Sequence, residues 1–197
     1  REKMVEELSG GRIGYVHVEG MNSESFRRVY SELLGKYRTC EAVIVDTRHN
    51  GGGWLHDDLA TLLSGKKYIS FEPRGQYIGT EPYSKWTKPS CVLIGEDNYS
   101  DACGFPYVYK TLGIGKLIGA PVPGTMTAVW WETQVDPSLV FGIPQVGAIA
   151  VKEGRYLENM QIEPDILVYN DPASVLRGED KQLERAVAEM LKEIDNK

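Results

Sequence analysis

Histidine is scarce in this sequence: 197 residues contain three, at positions 17, 49 and 56. Cysteine is as scarce and odd in number, with Cys40, Cys91 and Cys103 far apart. Such spacing offers neither a disulfide framework nor a zinc-ligand pattern, so no zinc site is expected. No apolar run approaches the roughly 20 residues of a membrane-spanning helix, and no membrane insertion is expected. Lys/Arg clusters are also missing. With a formal charge of −6 and a pI near 5.2, the basic footprint of a nucleic-acid binder is excluded. Internal repeats, low-complexity linkers and a signal peptide are not recognisable. The chain starts at Arg1 and reads as a fragment or processed form, which leaves the compartment open between cytoplasmic and periplasmic or exported. Apolar residues at 42% and charged residues at 25% suit one globular domain over residues 1–197.

The pattern of elements is α/β. Arg12–Val18 reads as a strand, with Tyr15 and His17 facing one way and Val16 and Val18 the other. A helix follows, capped by Asn22 or Ser23, with Phe26, Val29, Tyr30, Leu33 and Leu34 at helical spacing and Gly35 as its stop. Ala42–Asp46 (AVIVD) and Cys91–Gly95 (CVLIG) are short continuous apolar runs of the kind buried on both faces of a sheet. Helices are expected over Trp54–Leu63 and from about Ser100 to Leu112, and a third short strand over Lys116–Gly119. Ala120–Trp131, rich in Pro, Gly and Thr, reads as a loop. Leu139–Val151 and Arg155–Leu157 resemble strands. Asp171-Pro172 is a cap with a first-turn proline, and Leu183, Ala186, Val187, Met190, Leu191 and Ile194 form an amphipathic stripe.

Two strand-to-helix junctions carry unusual residues. After AVIVD comes the octet Asp46-Thr47-Arg48-His49-Asn50-Gly51-Gly52-Gly53. Three consecutive glycines mark backbone that bends sharply or approaches something closely, and before a helix their N–H groups can form a nest for negative charge. A tight turn is the plain alternative. After CVLIG comes Asn98-Tyr99-Ser100-Asp101-Ala102. A serine there is most simply a helix cap, yet a nucleophilic serine also uses a sharp strand-to-helix turn. In a parallel sheet both junctions open at the carboxyl ends of strands, where α/β proteins place their sites.

DTRHNGGG, SDACGFPYVYKTLGIGKLIG, LENMQIEPDILVYNDP and VLRGEDKQLERAV together resemble the tricorn-like and tail-specific peptidases. The resemblance runs from about Gly11 to Ile194. It implies a crotonase/ClpP-like core with ββα-type units and a serine endopeptidase activity on peptide or unfolded-protein substrates. Ser100 would attack the peptide carbonyl and form an acyl-enzyme. The N–H of Asp101, with that of Gly52 or Gly51, would form the oxyanion hole. Glu158 falls where tricorn-like enzymes keep an acidic residue that supports the catalytic network; an exposed carboxylate at a strand end is the alternative. The resemblance also implies a possible homo-oligomer.

The family pattern breaks at several positions. None of the three histidines matches the family's catalytic histidine, which in tricorn-like enzymes precedes a PDZ domain; neither that segment nor a PDZ domain is in these residues. The tail-specific branch uses a lysine instead, and here Thr125 stands in its place. Ala102 and Cys103 replace the Gly-Asp of the family's SDGD. Cys103 reads as a buried small hydrophobe rather than a nucleophile. The expectation is a peptidase core whose histidine comes from elsewhere, weak or inactive alone. The rival readings are a peptide- or ligand-binding relative that has lost catalysis, and an acyl-CoA enzyme of crotonase architecture, which the serine junction fits poorly.

Overall fold

The fold was analysed in a computed structural model that describes residues 1–196. In chain order the elements are α1 (Glu2–Ser9), β1 (Ile13–His17), α2 (Ser23–Ser31), β2 (Ala42–Asp46), α3 (His56–Leu63), β3 (Ile69–Phe71), β4 (Gly79–Glu81), β5 (Ser90–Ile94), α4 (Asp101–Thr111) and β6 (Lys116–Gly119). They continue with β7 (Thr127–Thr133), β8 (Val140–Gly147), β9 (Ile149–Ala150), β10 (Arg155–Tyr156), β11 (Ile166–Leu167), α5 (Pro172–Leu176) and α6 (Lys181–Asp195). Strands β1, β2, β5, β6 and β11 form one parallel sheet in the order β1-β2-β5-β6-β11.

Period-two alternation inside the apolar runs explains why this sheet is covered on both faces. Val43 and Val45 pack with Val16, Val92 and Ile94 against Leu33, Leu59 and Phe105 of the helical side formed by α2, α3 and α4. Ala42 and Ile44 point the other way, with Tyr15, Cys91 and Leu93, against Val5 of α1 and Leu183, Ala186 and Met190 of α6. The three layers are therefore helix, sheet and helix. His17 lies at the end of β1, and its Nε2 is 3.2 Å from the Arg48 carbonyl.

The strand and helix expectations hold with four corrections. Gly35 does not stop the second helix. The chain widens from α2 into a π-helical turn over Glu32–Lys36, with the Tyr37 N–H bonded to the Glu32 carbonyl at 2.8 Å. The third helix starts at His56 rather than Trp54, which is 74% exposed. Thr127–Trp131 is strand rather than loop: the glycine and proline that suggested a loop end at Gly124, and the β-favouring residues beyond pair with β8. The run Leu139–Val151 is broken into β8 and β9 at Ala148.

One buried ionic network locks the sheet to α6. Arg48, 3% exposed, directs Nε and Nη2 at the two oxygens of fully buried Asp46, at 2.9 and 2.7 Å. The same guanidinium reaches both oxygens of Asp180 at 2.8 and 2.9 Å and Gln182 Oε1 at 2.8 Å. Asp180 caps α6 through the Leu183 N–H. Tyr15 donates its hydroxyl to Asp46 Oδ2 at 2.8 Å. Burial opposes charge on Asp180, but the Arg48 guanidinium prevails and holds this carboxyl down at about 2.

Arg48→Met should cost about 3–5 kcal/mol, because it leaves Asp46 and Asp180 with only the longer 3.6 Å ion pairs to partly exposed Arg1. The loss would appear as a lower urea midpoint at unchanged slope. The depressed Asp180 contributes stability in full above the ordinary 3.8, lost as pH falls toward about 2. That acid step should be absent from Arg48→Met, and an unchanged midpoint would refute the network's role.

Candidate active site

The octet and the serine junction are neighbours because β2 and β5 pair directly, with Val45 beside Val92 and Asp46 beside Leu93. Polar side chains then stitch the two loops together. Thr47 donates to the Leu93 carbonyl at 2.9 Å and accepts from Asn98 Nδ2 at 3.0 Å. The Tyr99 N–H donates to the Asn50 carbonyl at 3.0 Å. Asn50 in turn donates to the Val18 carbonyl at 2.7 Å and accepts from the Gly52 N–H at 2.8 Å. Asp46, Thr47, Asn50 and Asn98 are each 0% exposed. Their bonds are the partners that burial requires.

Asn98 also answers a problem that α4 creates for itself. Pro106 lies inside this helix and has no N–H, so the carbonyl of Ala102, four residues earlier, loses its helical donor. The Asn98 Nδ2 supplies the missing bond at 3.0 Å. Asn98→Ala should therefore cost roughly 1–3 kcal/mol by leaving a buried carbonyl unpaired. Pro106→Ala restores a helical donor to Ala102, so chemical denaturation of the two single variants and the double variant should give a smaller Asn98 loss in the Pro106→Ala background. Strict additivity would refute this account.

Ser100 stands at the turn into α4 with φ 54° and ψ −122°. A non-glycine residue in this sparsely populated region stores about 1–3 kcal/mol of strain and persists only where surrounding structure holds it. Its own N–H donates to Thr125 Oγ1 at 3.1 Å. The following N–H, of Asp101, opens α4 and has no acceptor among the described residues, as expected at a helix start. Gly52, at φ 94°, lies so close that a Cβ there would come within 2.6 Å of Ser100 Cβ, 2.8 Å of the Tyr99 carbonyl oxygen and 3.2 Å of the Asp101 nitrogen. Only glycine fits.

The structure thus brings Ser100, Asp101 and Gly52 together. The Gly52 N–H is already engaged by Asn50, whereas the adjacent Gly51 N–H has no acceptor among the described residues. Glu158 is not bonded to Ser100. Its Oε2 accepts from the Met126 and Thr127 N–H groups and the Thr127 hydroxyl, each at 2.8 Å. These bonds overcome a modest desolvation and hold the Glu158 carboxyl below its ordinary range. Glu158 thereby fixes the backbone just after Thr125. Fully buried Cys103 lies 3.2 Å from Thr125 Oγ1 and 3.2 Å from the Asn98 carbonyl, and burial raises its pKa, as a packed thiol requires.

The histidines are engaged elsewhere. His49 pairs with Asp97 at 2.5 Å, both exposed. His56 Nδ1 is 2.5 Å from Asp101 Oδ1, while Asp101 Oδ2 accepts from the Leu55 and His56 N–H groups and so caps α3. The bond to Asp101 raises the His56 pKa against the effect of burial, with Asp57 and Asp58 adding to it. No histidine or lysine hydrogen-bonds Ser100 among the described residues, and no group of three or more His, Cys, Asp or Glu there could hold a metal. The sequence reading missed the buried partners Thr47, Arg48, Asn50 and Asn98. Their signal was position: polar residues directly following strands buried on both faces.

Ser100→Gly should relieve the turn and raise stability by about 1–3 kcal/mol relative to Ser100→Ala, read from thermal or urea unfolding. Equal stabilities would mean that the turn is unstrained.

The profile of peptidase family S41 matches residues 12–168. The chain is 26% identical over 194 residues to the tricorn protease of Thermoplasma acidophilum, covering 98% of this chain and 18% of that protein. It is 27% identical over 190 residues to a tricorn protease homolog of Saccharolobus solfataricus, covering 96% and 18%. It therefore spans about a fifth of the length of these relatives. The crystal structure of the tricorn protease superposes with a TM-score of 0.88 at 26% identity, over 98% of this chain and 19% of that one. Mature CPAF shares the fold, with a TM-score of 0.73 at 14% identity over 93% of this chain and 52% of its own. The geometry around Ser100 is accordingly that of a chain that belongs to peptidase family S41 and is similar, within it, to the tricorn proteases.

Proposed function

We propose that these residues are the catalytic core of a serine endopeptidase. The observation that carries this reading is the left-handed conformation of Ser100 beneath the glycine turn, beside the open Asp101 N–H. Ser100 Oγ attacks the peptide carbonyl carbon while its proton passes to a general base. The oxyanion is received by the Asp101 N–H and an N–H of the Gly51-Gly52 turn, with Gly51 the open donor in this state. The base then protonates the leaving amine, and water releases the acyl group by the reverse sequence. The chemistry asks for no cofactor.

The base comes from outside these residues, because His17, His49 and His56 are each engaged away from Ser100. Similarity to the tricorn structure supports a single crotonase/ClpP-like core domain over residues 1–197. Self-assembly is supported by the β7–β8 hairpin, whose Trp130, Trp131 and Phe141 are exposed at 57%, 63% and 60%; an isolated two-stranded hairpin is marginal in water. A second reading, a peptide-binding relative without catalysis, is favoured by Ala102, Cys103 and Thr125, whose hydroxyl accepts the Ser100 N–H at the position where the tail-specific branch is expected to carry a lysine.

Fluorophosphonate labelling separates the two. Ser100-dependent labelling, abolished by Ser100→Ala, is expected from a longer chain extended upstream and only weakly from these residues alone. Gly52→Ala should abolish that labelling, because the added Cβ would fall within 2.6 Å of Ser100 Cβ and displace the serine. No labelling of either chain would favour the binding relative, and full labelling of the short chain would place the base within it.

A further inference from the structure

We propose that a cavity at the amino-terminal end of the sheet, walled by Arg38, Lys67, Lys85, Lys88, Tyr83 and Trp86, is a second binding site that takes an acidic segment of a peptide. The cavity measures about 460 Å³, within the range of roughly 300–1,000 Å³ usual for small-ligand sites. Arg38 precedes β2, and Lys85 and Lys88 precede β5, whereas Ser100 follows the far end of β5. Five residues of strand separate the two ends by about 16 Å, so this site is distinct from the catalytic one.

Charge identifies the ligand. Four cations line the cavity and no Asp or Glu does, in a chain of net charge −6. None of the four is in an ion pair among the described residues, although most other buried or clustered charges are matched. Lys88 is held in place: its Nζ donates to the Arg38 and Cys40 carbonyls at 2.6 and 2.5 Å and lies 5.2 Å from the centre of the Trp86 ring. Burial, together with the positive charges of Lys67 and Arg38, lowers the Lys88 pKa. An incoming carboxylate would relieve that repulsion. Tyr77, Ile78 and Tyr83, each at least 60% exposed, give the mouth an apolar rim. Acidic groups beside an apolar or aromatic side chain match both features.

Choosing a peptide over another polyanion rests on the peptidase reading. A short, half-open cleft without a basic track leading from it also suits a short segment better than a nucleic-acid strand. A substrate held at both ends of the sheet would gain effective concentration at Ser100.

The test uses fluorescence anisotropy with a fluorescein-labelled hexapeptide of alternating glutamate and phenylalanine. Binding should be the same for the wild type and Ser100→Ala. It should weaken at least tenfold when glutamine replaces glutamate in the peptide, and at least tenfold in Lys67→Glu/Lys85→Glu. Tyr83→Ala, at an exposed position, is a second variant that should weaken it without disturbing the core. Equal binding of the glutamine peptide, or undiminished binding to the charge-reversed protein, overturns the site. Tighter binding of a single-stranded hexathymidylate overturns the peptide assignment. Loss of fluorophosphonate labelling with peptide binding intact would count against the peptidase reading alone, and the converse against this site alone.

Discussion

The Arg48 guanidinium is the constraint on which the Ser100 end of the sheet depends. It satisfies fully buried Asp46 at the end of β2 and mostly buried Asp180 at the start of α6 with paired bonds of 2.7–2.9 Å. A planar fork can do this, whereas a lysine ammonium could meet only part of the arrangement. Its consequence is directional. With Arg48 fixed between the sheet and α6, the chain after β2 must leave on the other side of the sheet, toward the α3 and α4 layer. The glycine turn is thereby delivered against the serine junction.

From there the geometry propagates through hydrogen bonds between neighbouring loops. Thr47, Asn50 and Asn98 tie the β2 and β5 exits to each other, and Asp101 ties the start of α4 to the start of α3. Each of these groups is buried or nearly so, so the exits cannot drift apart without leaving polar atoms unpaired. This over-determination is what allows Ser100 to stay at φ 54°, a conformation an unconstrained serine would leave. The strain and the network are two sides of one arrangement.

Much of this was legible in the residues. AVIVD and KLIG gave their strands to the residue, because runs buried on both faces need no alternation to be recognised. The octet and the serine turn declared themselves through glycine and through position after a buried strand. Less legible was anything fixed by contacts distant in sequence. The pairing of Arg48 with Asp180 spans 132 residues, and the bond from Asn98 to Ala102 makes sense only once Pro106 is known to lie within a helix. Glu158 was singled out by resemblance, and its bonds run to Met126 and Thr127 rather than to Ser100. The β7 strand was hidden because its first half borrows the composition of the loop before it.

Among the described residues no histidine or lysine hydrogen-bonds Ser100, and this bears on how the proposed site came to its present form. A site drifting away from catalysis has no reason to keep a strained serine, since glycine or a relaxed backbone at that turn would be favoured by about 1–3 kcal/mol. It would have no reason either to keep a glycine so close that a Cβ would fall within 2.6 Å of Ser100 Cβ. Both features persist here, as does an Asp101 N–H left open toward the space they frame. Oxyanion stabilisation and proton transfer are separable contributions, and in serine hydrolases the first alone retains roughly 10³–10⁴-fold catalysis over water. On the proposed reading, the described residues hold the preorganised, electrostatic half of the machinery, and among them no histidine or lysine hydrogen-bonds Ser100 to supply the titrating half. Such a division is expected where the base is carried on another segment, whose docking completes the site without requiring the serine turn to move.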